Sequence, residues 1–177
     1  MLQFYSASGR IINSRRAVTE CLEIAMEDQY ADADLLIFHA SIGHSYQDII
    51  SQAKAMAPKA RILACSCCGV VGREGVSESM KDIALMATKG SEFAVASVDG
   101  IYGNNSYEKC LEMANALKAK SPAINMVYFL ASGIDIANDL AIKAFEEVLG
   151  PQVTIFGATS SDNMKGIVSY QAVDDKV

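Results

Sequence analysis

The chain has 177 residues, 15 basic and 21 acidic, for a formal charge of −6 spread without acidic or basic blocks. A chain of this length buries roughly 70% of its unfolded surface, so it needs neither disulfides nor metal to hold a core, and the scattered charge argues against a nucleic-acid partner. Its apolar runs are of strand length, well short of the ~20 residues that span a bilayer, and five cysteines without a basic-then-apolar leader point to reduced thiols in a cytoplasm.

Leu2 to Ser6 is a short apolar strand candidate. Asn13 or Ser14 can cap the helix that follows, since a short side-chain oxygen accepts from an orphan first-turn amide. Ala17, Cys21, Ile24 and Ala25 then recur at helical spacing to about Asp28. Asp34 to Ala40 predicts a buried strand, Tyr46 to Met56 a helix ended by Pro58, and Arg61 to Cys65 another strand. Lys81 to Thr88 and Glu92 to Val98 predict two strands joined as a hairpin at Lys89-Gly90, hence a mixed sheet. A helix from Tyr107 to Lys118, a strand from Asn125 to Ala131, a helix from Asp135 to Leu149 and strands at Gln152 to Phe156 and Ile167 to Val173 complete the chain.

Two segments resemble each other at a constant offset of 91 positions: Phe38 recurs as Phe129, Ala40-Ser41 as Ala131-Ser132, Asp48 as Asp139 and Ala53 as Ala144. Cys21-Leu22-Glu23-Ile24-Ala25 similarly matches Cys110-Leu111-Glu112-Met113-Ala114. The expectation is therefore an α/β fold whose mixed, largely parallel central sheet of about six to eight strands carries flanking helices. It would be built from two pseudo-repeated βαβαβ units, about 2–88 and 92–173, within one domain over residues 1–177. The chain stops at Val177 without a closing element, which suggests part of a longer protein.

Ligands of open α/β sheets sit beyond the carboxyl ends of the strands. Four loops there are rich in small residues: His39 to Ser45, Cys65 to Gly72, Ala131 to Asp135 and Gly157 to Asn163. Gly, Ser and Cys let backbone amides approach a small polar molecule closely, although the same residues also serve tight turns. Ser41, Ser66, Cys67, Cys68, Gly69, Ser132, Ser160, Ser161, Asp162 and Asn163 are the candidate ligand-binding residues. Cys65-Ser66-Cys67-Cys68 has no second Cys/His pair at zinc spacing, and Cys21 and Cys110 fall on apolar helix faces as core thiols. A nucleophilic role for Cys67 or Cys68 stays open and would need an oriented histidine. His39 and His44, the two histidines, are satisfied strand-end and loop residues or ligands to a noncovalent haem, since no Cys-x-x-Cys-His attachment sequence occurs.

The run Cys65-Ser66-Cys67-Cys68-Gly69-Val70-Val71-Gly72, with Gly75 and Ile83-Ala84-Leu85-Met86 after it, resembles the amino-terminal half of FIST sensory domains. Phe156-Gly157-Ala158-Thr159-Ser160-Ser161-Asp162-Asn163 is similar to that family's second hallmark. Ala64 stands where the family commonly has Gly, Cys67-Cys68 where it has Thr-Ala, Val70 where it has an acidic residue, and Ser161 where Gly is common. The resemblance implies a non-catalytic, cytoplasmic signal-transduction module that binds a small ligand, amino acids among the candidates. It further implies a FIST carboxyl-terminal half and an output domain of chemoreceptor or histidine kinase type as partners. Haem-based nitric oxide sensing, known for some members, is the alternative the resemblance adds.

Overall fold

A computed structural model describes residues 1–72, 75–162 and 168–177. In chain order the elements are β1 (Gln3–Arg10), α1 (Ser14–Met26), a 3-10 turn (Glu27–Asp32), β2 (Leu35–Ala40), α2 (Tyr46–Met56), β3 (Arg61–Ser66), β4 (Val70–Gly72), β5 (Gly75–Ser77) and β6 (Asp82–Lys89). There follow α3 (Ser106–Lys120), β7 (Met126–Ser132), α4 (Asn138–Leu149), β8 (Thr154–Ser160) and β9 (Gln171–Val173). Contacts divide the chain into two compact units, one of Met1–Glu92 with Ser160–Val177, the other of Phe93–Thr159.

The first unit is a five-stranded mixed sheet in the order β1-β6-β2-β3-β9. Its helices form where the sequence supplies caps. The Asn13 side chain accepts from Arg16 N at 2.9 Å to start α1, and Ser45 accepts from Asp48 N at 3.3 Å to start α2. The apolar stripes Ala17, Val18, Cys21 and Leu22 of α1 and Ile49, Ile50 and Ala53 of α2 cover one sheet face, onto Leu36, Phe38, Ile62, Ala64, Ile83 and Leu85. Each large side chain buried there contributes ~1.5–3 kcal/mol. Cys21 is one of these core residues, and burial, then the Glu20 charge, pushes its thiol up to about 12.

The α/β class and the mixed sheet hold, but the parallel component of this sheet is the β2–β3 pair joined through α2; β1–β6, β6–β2 and β3–β9 are antiparallel. A helical crossover returns the chain in the same direction, whereas β6 enters after the short β4–β5 hairpin and runs back. The expected partner strand Glu92 to Val98 is absent from the strands. β6 lies between β1 and β2, so neither of its edges is open to a hairpin partner. The chain leaves β6 instead through Gly90, whose N–H donates to the Asp34 carboxylate at 2.7 Å. Of the segment Ile167 to Val173, Gln171–Val173 is strand β9, and Ile167 lies outside the described residues.

The second unit packs α3 and α4 beside a separate two-stranded sheet of β7 and β8, so the strands do not form the single sheet of six to eight that the sequence suggested. Cys110, Met113 and Ala114 of α3 meet Ala141, Ala144 and Phe145 of α4 in its core. Cys110 is fully buried there, as its apolar helix face predicts, and burial raises its thiol to about 11. The order strand, helix, strand recurs in the two units as β2-α2-β3 and β7-α4-β8. Their sheets differ in size.

Candidate functional site

β2 and β3 run side by side in the same direction, which places His39 opposite Cys65 near their carboxyl ends. The registers then extend one row across the sheet face turned away from α1 and α2: Ser8, Ala84, His39, Cys65 and Gln171. Residues paired in register share a face, and their side chains meet. His39 Nδ1 lies 3.1 Å from Cys65 Sγ. Gln171 Nε2 donates to Ser160 Oγ and, at 3.4 Å, to Ser169 Oγ. The row thus joins the strand-end histidine to Ser160, one of the predicted binding residues.

Burial lowers the His39 pKa, and burial followed by the nearby Cys67 pushes the Cys65 thiol up to about 12. Both groups are therefore neutral at physiological pH. A neutral imidazole beside a protonated thiol is a polar, hydrogen-bonding surface and not an ion pair.

Over the β1 side of this row lies a cleft of about 410 Å³. Ser6 and Ser8 of β1, His39 of β2, and Ala84 and Met86 of β6 form its floor, and Val71 and Gly72 of β4 form its rim. The volume sits toward the low end of the ~300–1,000 Å³ typical of small-molecule sites. Beside it, Arg10 reaches Asp82 at 3.7 Å and donates to Val76 O at 3.3 Å. Asp82 is completely buried and accepts from Ser77 Oγ at 2.8 Å and Ser79 N at 2.6 Å, which fixes the loop ahead of β6.

The predicted loop residues of the first unit are largely engaged with their own chain. Ser66 is buried; its Oγ accepts from Tyr170 N at 3.0 Å and its carbonyl from Ser161 N at 3.1 Å, so the Cys65 and Ser160 loops do come together. Asp162 accepts from Val168 N at 3.3 Å. Ser41 is buried, its N–H donates to Asp82 O at 2.9 Å, and its hydroxyl has no hydrogen-bond partner among the described residues. Cys67 N donates to Ala40 O at 3.0 Å, while Cys68 is exposed. Burial pushes the Cys67 thiol up to about 11 against a lowering hydrogen bond from the Gly69 backbone, and Cys68 and Asp82 add to the rise. Gly43 and Gly69 are small for an internal reason: a Cβ would stand 2.1 Å from Met80 O at the first and 2.6 Å from Ser77 O at the second. Ser132 belongs to the second unit, where its Oγ accepts from Ile134 N at 3.3 Å, and Asn163 lies outside the described residues.

The two histidines diverge. His44 is 5% exposed, with Nδ1 3.2 Å from Ser14 Oγ at the start of α1, and its packing leaves no open approach to the ring. Of the two histidines offered as haem ligands, His39 lines the cleft and His44 does not. Among the described residues no cluster of three or more His, Cys, Asp or Glu could hold a metal ion.

Four contributors were not singled out in the sequence. Gln171 and Ser8 become visible only once strand register is known. Tyr46, stacked on Tyr170 at 5.1 Å, donates to Ala40 O at 2.6 Å, and burial, reinforced by Cys67, Cys65 and Tyr170, raises its phenol above the ordinary range. Asp82 did carry a signal: a carboxylate opening the apolar run Ile83-Ala84-Leu85-Met86 must be paired if that strand is buried.

Fold and cleft together define an α/β domain with a pocket of small-molecule size. A family profile for the FIST N domain matches residues 34–177. The chain belongs to the FIST N-domain family, a family of sensory domains. Comparison with curated proteins gives no match. Among the described residues no helix is long and apolar enough to cross a membrane.

Proposed function

We propose that this domain is a non-catalytic sensor that takes a small molecule into the outer-face cleft and relays its occupancy to the loops Ser66–Gly69 and Ser160–Asp162. The observation that carries this reading is His39, which lines the cleft and contacts Cys65, whose register partner Gln171 holds Ser160. A ligand against His39 therefore acts on a hydrogen-bonded row that ends at the loops. Differential affinity for two arrangements of that row would bias an attached output, and a chemoreceptor or histidine kinase output in a cytoplasmic signalling protein suits such a module. Amino acids and other small metabolites bearing hydrogen-bonding groups are the starting candidates.

Neutral thiols support the non-catalytic reading. Cys65 at about 12 and Cys67 at about 11 are protonated near pH 7, and His39 beside Cys65 is held neutral by burial, whereas a thiol nucleophile requires a thiolate. A thermal-shift screen of small metabolites tests the proposal. A true ligand at a hundredfold excess over its Kd adds about 2.7 kcal/mol, raising the melting temperature by roughly 5–10 °C. Ala84→Phe, which fills the cleft, and Val71→Trp, which blocks its rim, are expected to remove the shift while still melting cooperatively. Stabilisation that survives both substitutions would place the ligand elsewhere.

A further inference from the structure

We infer that β1 is a dimerisation edge, along which two copies of this chain pair antiparallel about a twofold axis and join their sheets into one. β1 ends the five-stranded sheet and pairs with β6 in unbroken register from Gln3 opposite Lys89 to Arg10 opposite Asp82. Its eight residues therefore run without a bulge, with one edge on β6 and the other turned away from the described strands of the sheet. An edge of this kind is a template for a further strand, and folded chains blunt it with brevity, proline, lysine or a bulge. The opposite edge is blunted by brevity, because β9 has three residues. β1 contains neither proline nor lysine, and its one charge is Arg10. Apolar side chains stand exposed around it: Phe4 is 58% exposed, Ile12 just past the strand 72%, and Val76, whose carbonyl accepts from Arg10, 71%.

A second copy fits this edge because the strand complements itself. With Ala7 on the axis, Phe4 lies opposite Arg10 of the other copy, Tyr5 opposite Gly9, and Ser6 opposite Ser8. Directly opposed residues share a face, so the core side of one sheet continues into the core side of the other. Arg10 uses its N–H edge on Val76 and Asp82, and the planar face of a guanidinium stacks on an aromatic ring. Tyr5 covers a glycine that has no side chain of its own. The two Arg10 residues sit at opposite ends of the ladder, so like charges do not meet. With exposed Gln3, Ser6 and Arg10, the apolar side chains bring the covered surface to the order of the ~600 Å² per partner at which specific interfaces begin. The same pairing sets Ser6 of one copy beside Ser8 in the cleft floor of the other. The dimer does not depend on the cleft holding a ligand.

Sedimentation velocity of the whole chain, from low micromolar to near-millimolar concentration, tests the inference and is expected to show a monomer–dimer equilibrium. Phe4→Lys sets a cation against Arg10 of the other copy and is expected to raise the dimer Kd at least about tenfold, while Phe4→Glu keeps an attraction there and raises it less than about threefold. Phe4 is exposed, so both variants are expected to keep the parent's circular dichroism and cooperative melting. A chain that stays monomeric throughout, or a dimer indifferent to Phe4→Lys, overturns the inference. Equal weakening by the two substitutions overturns it as well, since Phe4 would then not lie against Arg10.

Discussion

His39, the penultimate residue of β2, lies half-buried next to Cys65, and its depressed pKa ties stability to pH. A histidine whose folded pKa lies below its unfolded value near 6.5 binds fewer protons in the folded chain, so its contribution is present above that value and is lost as pH falls through the folded pKa. The denaturant midpoint is expected to drop between pH 7.5 and 5.5, and His39→Gln is expected to flatten the drop. An equal drop in the variant would remove His39 from the account. A strand-end, partly buried imidazole was legible in the apolar run before it. Its contact with Cys65 was not, because which residues of two strands lie opposite is a property of pairing and not of either segment alone. Small residues misled more directly. Gly43 and Gly69 suggested room for a ligand, yet that space is held by the carbonyls of Met80 and Ser77, from the end of β5 and the loop ahead of β6.

β9 is three residues long and too short to hold its place by ladder bonds alone. Asp174, just after it, accepts from Arg61 Nε at 2.9 Å and Ile62 N at 3.1 Å, which clamps β9 on β3 and keeps Gln171 beside Cys65. Partial burial alone would raise the Asp174 pKa. The hydrogen bonds from Arg61 and Ile62 and the charges of Arg61 and Lys54 outweigh it and hold the carboxyl below the usual range. Such a group stabilises above its unfolded pKa near 4, and its contribution is lost as pH falls through the folded value. Asp174→Asn tolerates the same positive φ of 55° and so isolates the charge. It is expected to lower stability by on the order of 1 kcal/mol at pH 7, with the gap to the parent chain closing below pH 4 in urea melts. A gap independent of pH would contradict the clamp. The helices were legible because caps and 3.6-residue stripes are local signals, at Asn13 above all. The failure of Glu92 to Val98 to form a strand was not, since it depends on which sheet edges other strands already occupy.

The whole molecule is an α/β chain of two units in the FIST N-domain family, and the sensory class was readable from two short motifs about ninety residues apart. The cleft was not readable, because its floor draws on β1, β2 and β6, whose adjacency arises only in the folded sheet. The central claim is that occupancy of this cleft reaches the loops through His39, Cys65 and Gln171. Amide hydrogen exchange of the chain with and without the strongest stabiliser from the thermal-shift screen tests it most directly. Slower exchange is expected at Ser6–Ser8 and Val71–Gly72 together with Ser66–Gly69 and Ser160–Asp162. Protection confined to the cleft strands, or absent from them, would contradict it.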